Sequence, residues 1–130
     1  MEKEIFEEFV AEAFGKIPER FRKKLKNVAL LVEDEPSPAL RKEEALDEGE
    51  TLLGHYRGIP NTVRGSGYGV GPTVPDTITI FRIPNEREAR ETGRNIKDVV
   101  YETVWHEVAH YLGMDEDEVT KREQERFDYM

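Results

Sequence analysis

The chain contains no cysteine. Disulfides are therefore excluded, and so is any metal site built on thiolates. Histidine is scarce as well, with three in 130 residues. With so few, a metal centre must use His106 and His110 together with carboxylates and water. Positive charge is in deficit: 19 Lys and Arg stand against 28 Asp and Glu, for a net charge of −9. Neither nucleic acid nor an anionic membrane is expected as a partner, since both are negatively charged. No apolar run is long enough to span a bilayer. The N-terminus, MEKEIFEEF, is charged from its second residue, so no leader is expected and the cytoplasm is the expected location. The length predicts a single domain over residues 1–130 with one core.

Against this background one stretch carries chemistry. Val99–Gly113 reads VVYETVWHEVAHYLG, with His106, Glu107 and His110 in the pattern H-E-x-x-H. Residues four apart share a helix face, so both imidazoles point one way and can hold one divalent metal. Glu107 is turned about 100° from His106. From there a carboxylate reaches a water at the metal without ligating, the position of a general base in a zinc hydrolase. No proline or glycine interrupts residues 96–112, which predicts a helix. Val100, Val104, Val108 and Tyr111 form its apolar stripe, widened by Tyr101, Trp105 and Leu112. Val99, Thr103, His106 and His110 form a second, narrower strip that turns to a cleft. Two core histidines bonded inside the protein are the alternative, but burying two imidazoles one turn apart leaves polar groups to satisfy. Gly113 then suits a turn of positive φ that swings the acidic run Asp115, Glu116, Asp117 and Glu118 back toward the histidines. The same run would equally serve as the first turn of a following helix.

The rest of the chain predicts an α+β order. Helices are expected over Glu4–Phe14 and Pro18–Leu25, and a buried strand over Asn27–Glu33. Ser37-Pro38 opens either a short helix reaching Ala45 or a loop. A second strand is expected over Thr51–Ile59, with Gly54 marking a bulge or close approach by a ligand. His55 on it reads as a surface or cleft histidine rather than a ligand. Asn61–Pro75 is glycine-rich but lacks the lysine and following helix of a phosphate loop, so it reads as a turn or a cleft wall. Asp76–Ile83 alternates as a strand. Pro84–Gly93 reads as a helix or loop, Asn95 and Asp98 as a capping pair for the metal helix, and Glu116–Tyr129 as a last charged helix. A small mixed sheet packed on the H-E-x-x-H helix follows from this order.

The sequence resembles the small zincin-like metallopeptidases of bacteria, whose motif is H-E-x-x-H-x-x-G-x-x-D. His106, Glu107, His110 and Gly113 match it, and Glu116 stands where the motif has aspartate. The segments VALLVEDEP, LLGHYRGIP and DTITIFRIP occur in the same order in that family. The resemblance implies a reduced zincin fold and one zinc ion held by His106, His110 and Glu116, with Asp115 as the alternative third ligand. Glu107 is then the catalytic base, and a peptide or protein is the substrate. Tyr56, Tyr68 or Arg64 would assist. An extended peptide would add to an edge strand, either Thr51–Gly58 or Thr77–Ile83. A second reading is a metal-binding regulatory or interaction domain without turnover.

Overall fold

The computed structural model describes residues 1–58 and 75–113. In chain order it contains α1 (Lys3–Lys16), α2 (Glu19–Arg22), β1 (Val28–Glu33), α3 (Pro38–Glu43), β2 (Gly54–Arg57), β3 (Asp76–Phe81), α4 (Arg82–Thr92) and α5 (Ile96–Tyr111). The strands form one mixed sheet in the order β1-β3-β2. β1 runs parallel to β3, from Val28 opposite Asp76 to Glu33 opposite Phe81. β2 runs antiparallel to it, from Gly54 opposite Ile80 to Arg57 opposite Thr77.

β3 is therefore the central strand, so of the two segments considered for edge pairing the one over Thr77–Ile83 is ruled out and the β2 segment remains. The alternation of β3 explains the place: Ile78 and Ile80 are fully buried on one face. Against that face lie Phe6, Val10 and Ala13 of α1 and Val100, Val104, Trp105 and Val108 of α5 in one apolar cluster. α5 contacts α1, α4, β2 and β3. The expected apolar stripe thus holds the helix to the sheet. Tyr101 and Tyr111 lie at its border, where each hydroxyl donates to a backbone carbonyl, of Lys16 at 3.3 Å and Lys26 at 3.0 Å. Phe21 of α2 closes the cluster with its ring edge-on to Trp105 at 5.2 Å.

Several boundaries differ from those expected, each for a local reason. α2 keeps only one turn, with Pro18 as its N-cap. Ser37 caps α3, accepting from the Leu40 amide at 3.1 Å. That helix ends at Glu43, and Ala45 takes a left-handed conformation at φ 52°. β2 begins only at Gly54, and Ile59 lies outside the described residues. β3 stops at Phe81 rather than Ile83, because Arg82 already starts α4. Pro84 falls in the first turn of α4, where its missing amide costs no hydrogen bond. Asn95 caps α5 by accepting from the Lys97 amide at 2.8 Å. No described helix is long and apolar enough to cross a membrane.

Candidate metal centre and its cleft

His106 and His110 stand one turn apart on α5, with ring centroids 6.3 Å apart and planes nearly perpendicular. His106 is half-buried and His110 exposed, so the pair lies at the rim of the core. Glu107 is buried, with its Oε2 3.5 Å from His110 Nδ1. Burial pushes the Glu107 carboxyl above the usual carboxylate range, against the opposing pull of the His110 imidazole. The arrangement offers two imidazole donors beside a carboxyl that holds its proton more tightly than an exposed one. Gly113 adopts φ 78° directly after the helix, the turn expected there. Asp115 and Glu116 lie outside the described residues, as do Arg64 and Tyr68 and the expected final helix.

β2 sets the other side of the site. A Cβ built on Gly54 would lie 2.9 Å from Thr103 Cγ2, 3.0 Å from Glu107 Cγ and 3.3 Å from the Thr79 carbonyl oxygen. The close approach that this glycine permits is thus by α5, not by a ligand. Without a side chain at residue 54, the strand lies directly on the aliphatic stem of Glu107. Beside this contact a cleft of about 410 Å³ is lined by Thr51, Leu52 and Leu53 on one side and by Val99, Thr103, His106 and Glu107 on the other.

The cleft wall is pinned by a residue with no motif around it. Asn85 is fully buried in the first turn of α4. Its amide donates to the Phe81 carbonyl at 2.7 Å and the Leu53 carbonyl at 3.0 Å. Its Oδ1 lies 3.0 Å from the Thr103 hydroxyl, which has the Val99 carbonyl 2.9 Å away as a second acceptor. One side chain therefore ties the cleft wall, the end of β3 and α5 together. Its only sequence signal is an asparagine after a strand and a proline, which ordinarily reads as a turn.

The remaining candidates lie elsewhere. Tyr56 donates to Asp76 Oδ2 at 2.9 Å and packs edge-on to Tyr111, so its hydroxyl is held at the sheet. His55 alternates with Gly54 along β2 and so takes the face away from α5. There its ring nitrogen and carboxylate oxygens of Glu43 and Glu44 lie within 4.8 Å of one another. Glu43 is already gripped by both terminal nitrogens of Arg57, which lowers its pKa. The trio is therefore not an open set of donors.

Comparison with known proteins decides what this helix belongs to. The family model for zincin-like metallopeptidases matches residues 25–126. The chain belongs to that family. The match takes in all three strands, the H-E-x-x-H helix and the acidic run after it. Among solved structures, the chain is similar to a conserved hypothetical protein from Thermo thermophilus, with 28% sequence identity and a TM-score of 0.58. That likeness covers 86% of this chain and 94% of the other. No curated protein matches the sequence.

Proposed function

We propose that the protein is a metal-dependent peptidase on a reduced zincin-like fold, with zinc held by His106, His110 and Glu116. The observation that carries the reading is the pairing of a buried Glu107 with two imidazoles on one helix rim, at the end of a cleft. Family membership supports the same chemistry. The donor set fits a divalent cation: two neutral ring nitrogens at i and i+4, with a carboxylate-rich segment just downstream and no thiolate. Such a cation supplies Lewis-acid polarisation of a carbonyl and lowers the pKa of a water.

The protein's own groups do the rest. Glu107 takes the proton of the attacking water and passes it to the leaving amide nitrogen. Burial raises its proton affinity toward that task. The imidazole of His110 beside it pulls the other way and offsets part of that rise. Among the described residues β2 has one hydrogen-bonded neighbour, β3, and its other edge is where an extended peptide would add as a strand. Gly54 and Leu53 bring that edge alongside the cleft.

Metal content and cleavage together test the reading. Wild type dialysed against zinc should carry about one ion per chain by plasma mass spectrometry, and His106→Ala none. Glu107→Gln should keep the ion yet fail to cleave a peptide library. Unchanged turnover in Glu107→Gln would remove the general-base role.

A further inference from the structure

The cleft does not stop at His106. Its floor follows one stripe of α5 back from His106 through Thr103 and Glu102 to Val99. Seven helical steps, from Val99 to His106, make this about 10 Å long, which suits a long side chain. Leu52 and Leu53 wall it along this length. Its far end is charged, with Glu88 of α4 and the ion pair between Arg94 and Glu102. Arg94 is committed to Glu102, at 2.5 Å. The carboxylate of Glu88 has no ion pair or hydrogen bond among the described residues. An apolar channel thus leads from the metal helix to one uncompensated negative charge.

We propose that this channel receives the side chain of a lysine or arginine in the substrate, with its head at Glu88. The inference rests on the peptidase reading of the same site. Lysine and arginine carry long apolar stems that favour contact with Leu52, Leu53 and Val99, and a cationic head that needs a partner. A half-buried carboxylate at the far end supplies it. An acidic side chain in the same channel meets Glu88 and is repelled, so selection works by attraction and by exclusion. The net charge of −9 draws cationic peptides toward the protein as a whole. The channel turns that general attraction into selection at one position.

The test separates the local charge from the global one. Binding is measured by fluorescence anisotropy on full-length Glu107→Gln protein, so that cleavage does not intervene. The probes are fluorescein-labelled alanine-glycine peptides carrying a single arginine or a single glutamate. The arginine peptide should bind about tenfold more tightly or better. Adding Glu88→Gln should reduce the preference to about threefold or less. Adding Glu91→Gln, which removes the same charge from an exposed position on α4, should leave it intact. Equal binding of the two peptides, no binding of the arginine peptide, or a preference untouched by Glu88→Gln would each overturn the proposal. Wild-type cleavage of the same peptides keeps the two readings apart. Arginine-selective binding without any cleavage sinks the peptidase reading alone, whereas cleavage indifferent to charge sinks the channel alone.

Discussion

The two sides of α5 are built by different rules. Toward the core, Val100, Val104, Trp105 and Val108 fit by being apolar and roughly the right size. Toward the cleft, Thr103 and Glu107 lie where they do because one glycine on a neighbouring strand has no side chain and one buried asparagine offers its amide oxygen to the Thr103 hydroxyl. The core side spreads its stability over many interchangeable contacts. The cleft side concentrates geometry in a few that nothing else can replace. Substitutions on the first should therefore cost stability, and those on the second should cost function out of proportion to stability.

The largest effect belongs to the core side. Trp105→Ala empties a buried site against Phe21 and should cost about 3–5 kcal/mol. Chemical denaturation would show it as a lower midpoint with the slope unchanged. Trp105→Phe should cost far less, since the buried indole N–H has no hydrogen-bond partner among the described residues. If the two variants were equally damaging, the core would owe more to that N–H than to volume.

Gly54→Ala comes next. The new methyl would meet Thr103 Cγ2 and Glu107 Cγ at 2.9 and 3.0 Å, so β2 or α5 must shift. Overpacking of this kind costs about 1–3 kcal/mol. Because one of the displaced groups is Glu107, cleavage should fall further than stability does. Gly15→Ala is the matched control: a Cβ there meets nothing within 4 Å, and alanine should stabilise α1 by about 0.5 kcal/mol. Thermal unfolding and cleavage measured on both variants would sharpen the contrast. Full activity in Gly54→Ala would show that the strand does not set the position of Glu107.

Asn85→Ala should cost about 1–3 kcal/mol, because it leaves the buried Thr103 hydroxyl with fewer partners and removes one donor from each of the Leu53 and Phe81 carbonyls. Thr103→Val keeps the shape and removes only the hydroxyl, so it should cost about 1 kcal/mol. The double variant should fall well short of the sum, as expected for residues sharing one network. Strict additivity would mean that the two side chains act independently.

The same division explains what the sequence makes legible. The apolar stripe of α5, the alternation of β3 and the H-E-x-x-H spacing are periodic, and periodicity survives in one dimension. The mixed three-stranded sheet followed from the element order. The central place of β3 did not, because strand order depends on which edges meet. Arg82 and Ile83 continue an alternating pattern yet begin a helix, since the end of β3 is set by Asn85 reaching back to the Phe81 carbonyl. Gly54 was visible as an oddity, but only the packing of β2 on α5 says what its missing side chain admits. Asn85 gave no signal of its own, because a buried asparagine and a turn asparagine are the same letter.

The last expected effect, like that of Gly15→Ala, is a gain in stability. Glu107 is buried on the cleft side, and burial raises its pKa in the folded protein above the unfolded value. The folded state therefore holds this proton to higher pH than the unfolded state does. Any stability the group contributes is complete below the ordinary carboxylate range and is lost as the pH rises through the folded pKa. A glutamine in its place has no such dependence. In chelator-treated protein, Glu107→Gln should match wild type at low pH and exceed it at neutral pH, seen as a higher Tm. Thermal unfolding of both proteins across pH 3–8 measures the difference directly. A glutamine variant no more stable than wild type at neutral pH would mean that β2 and the His110 imidazole already compensate the buried charge. The cleft side would then hold the Glu107 carboxyl without strain, and the contrast between the two sides of α5 would lie in geometry alone.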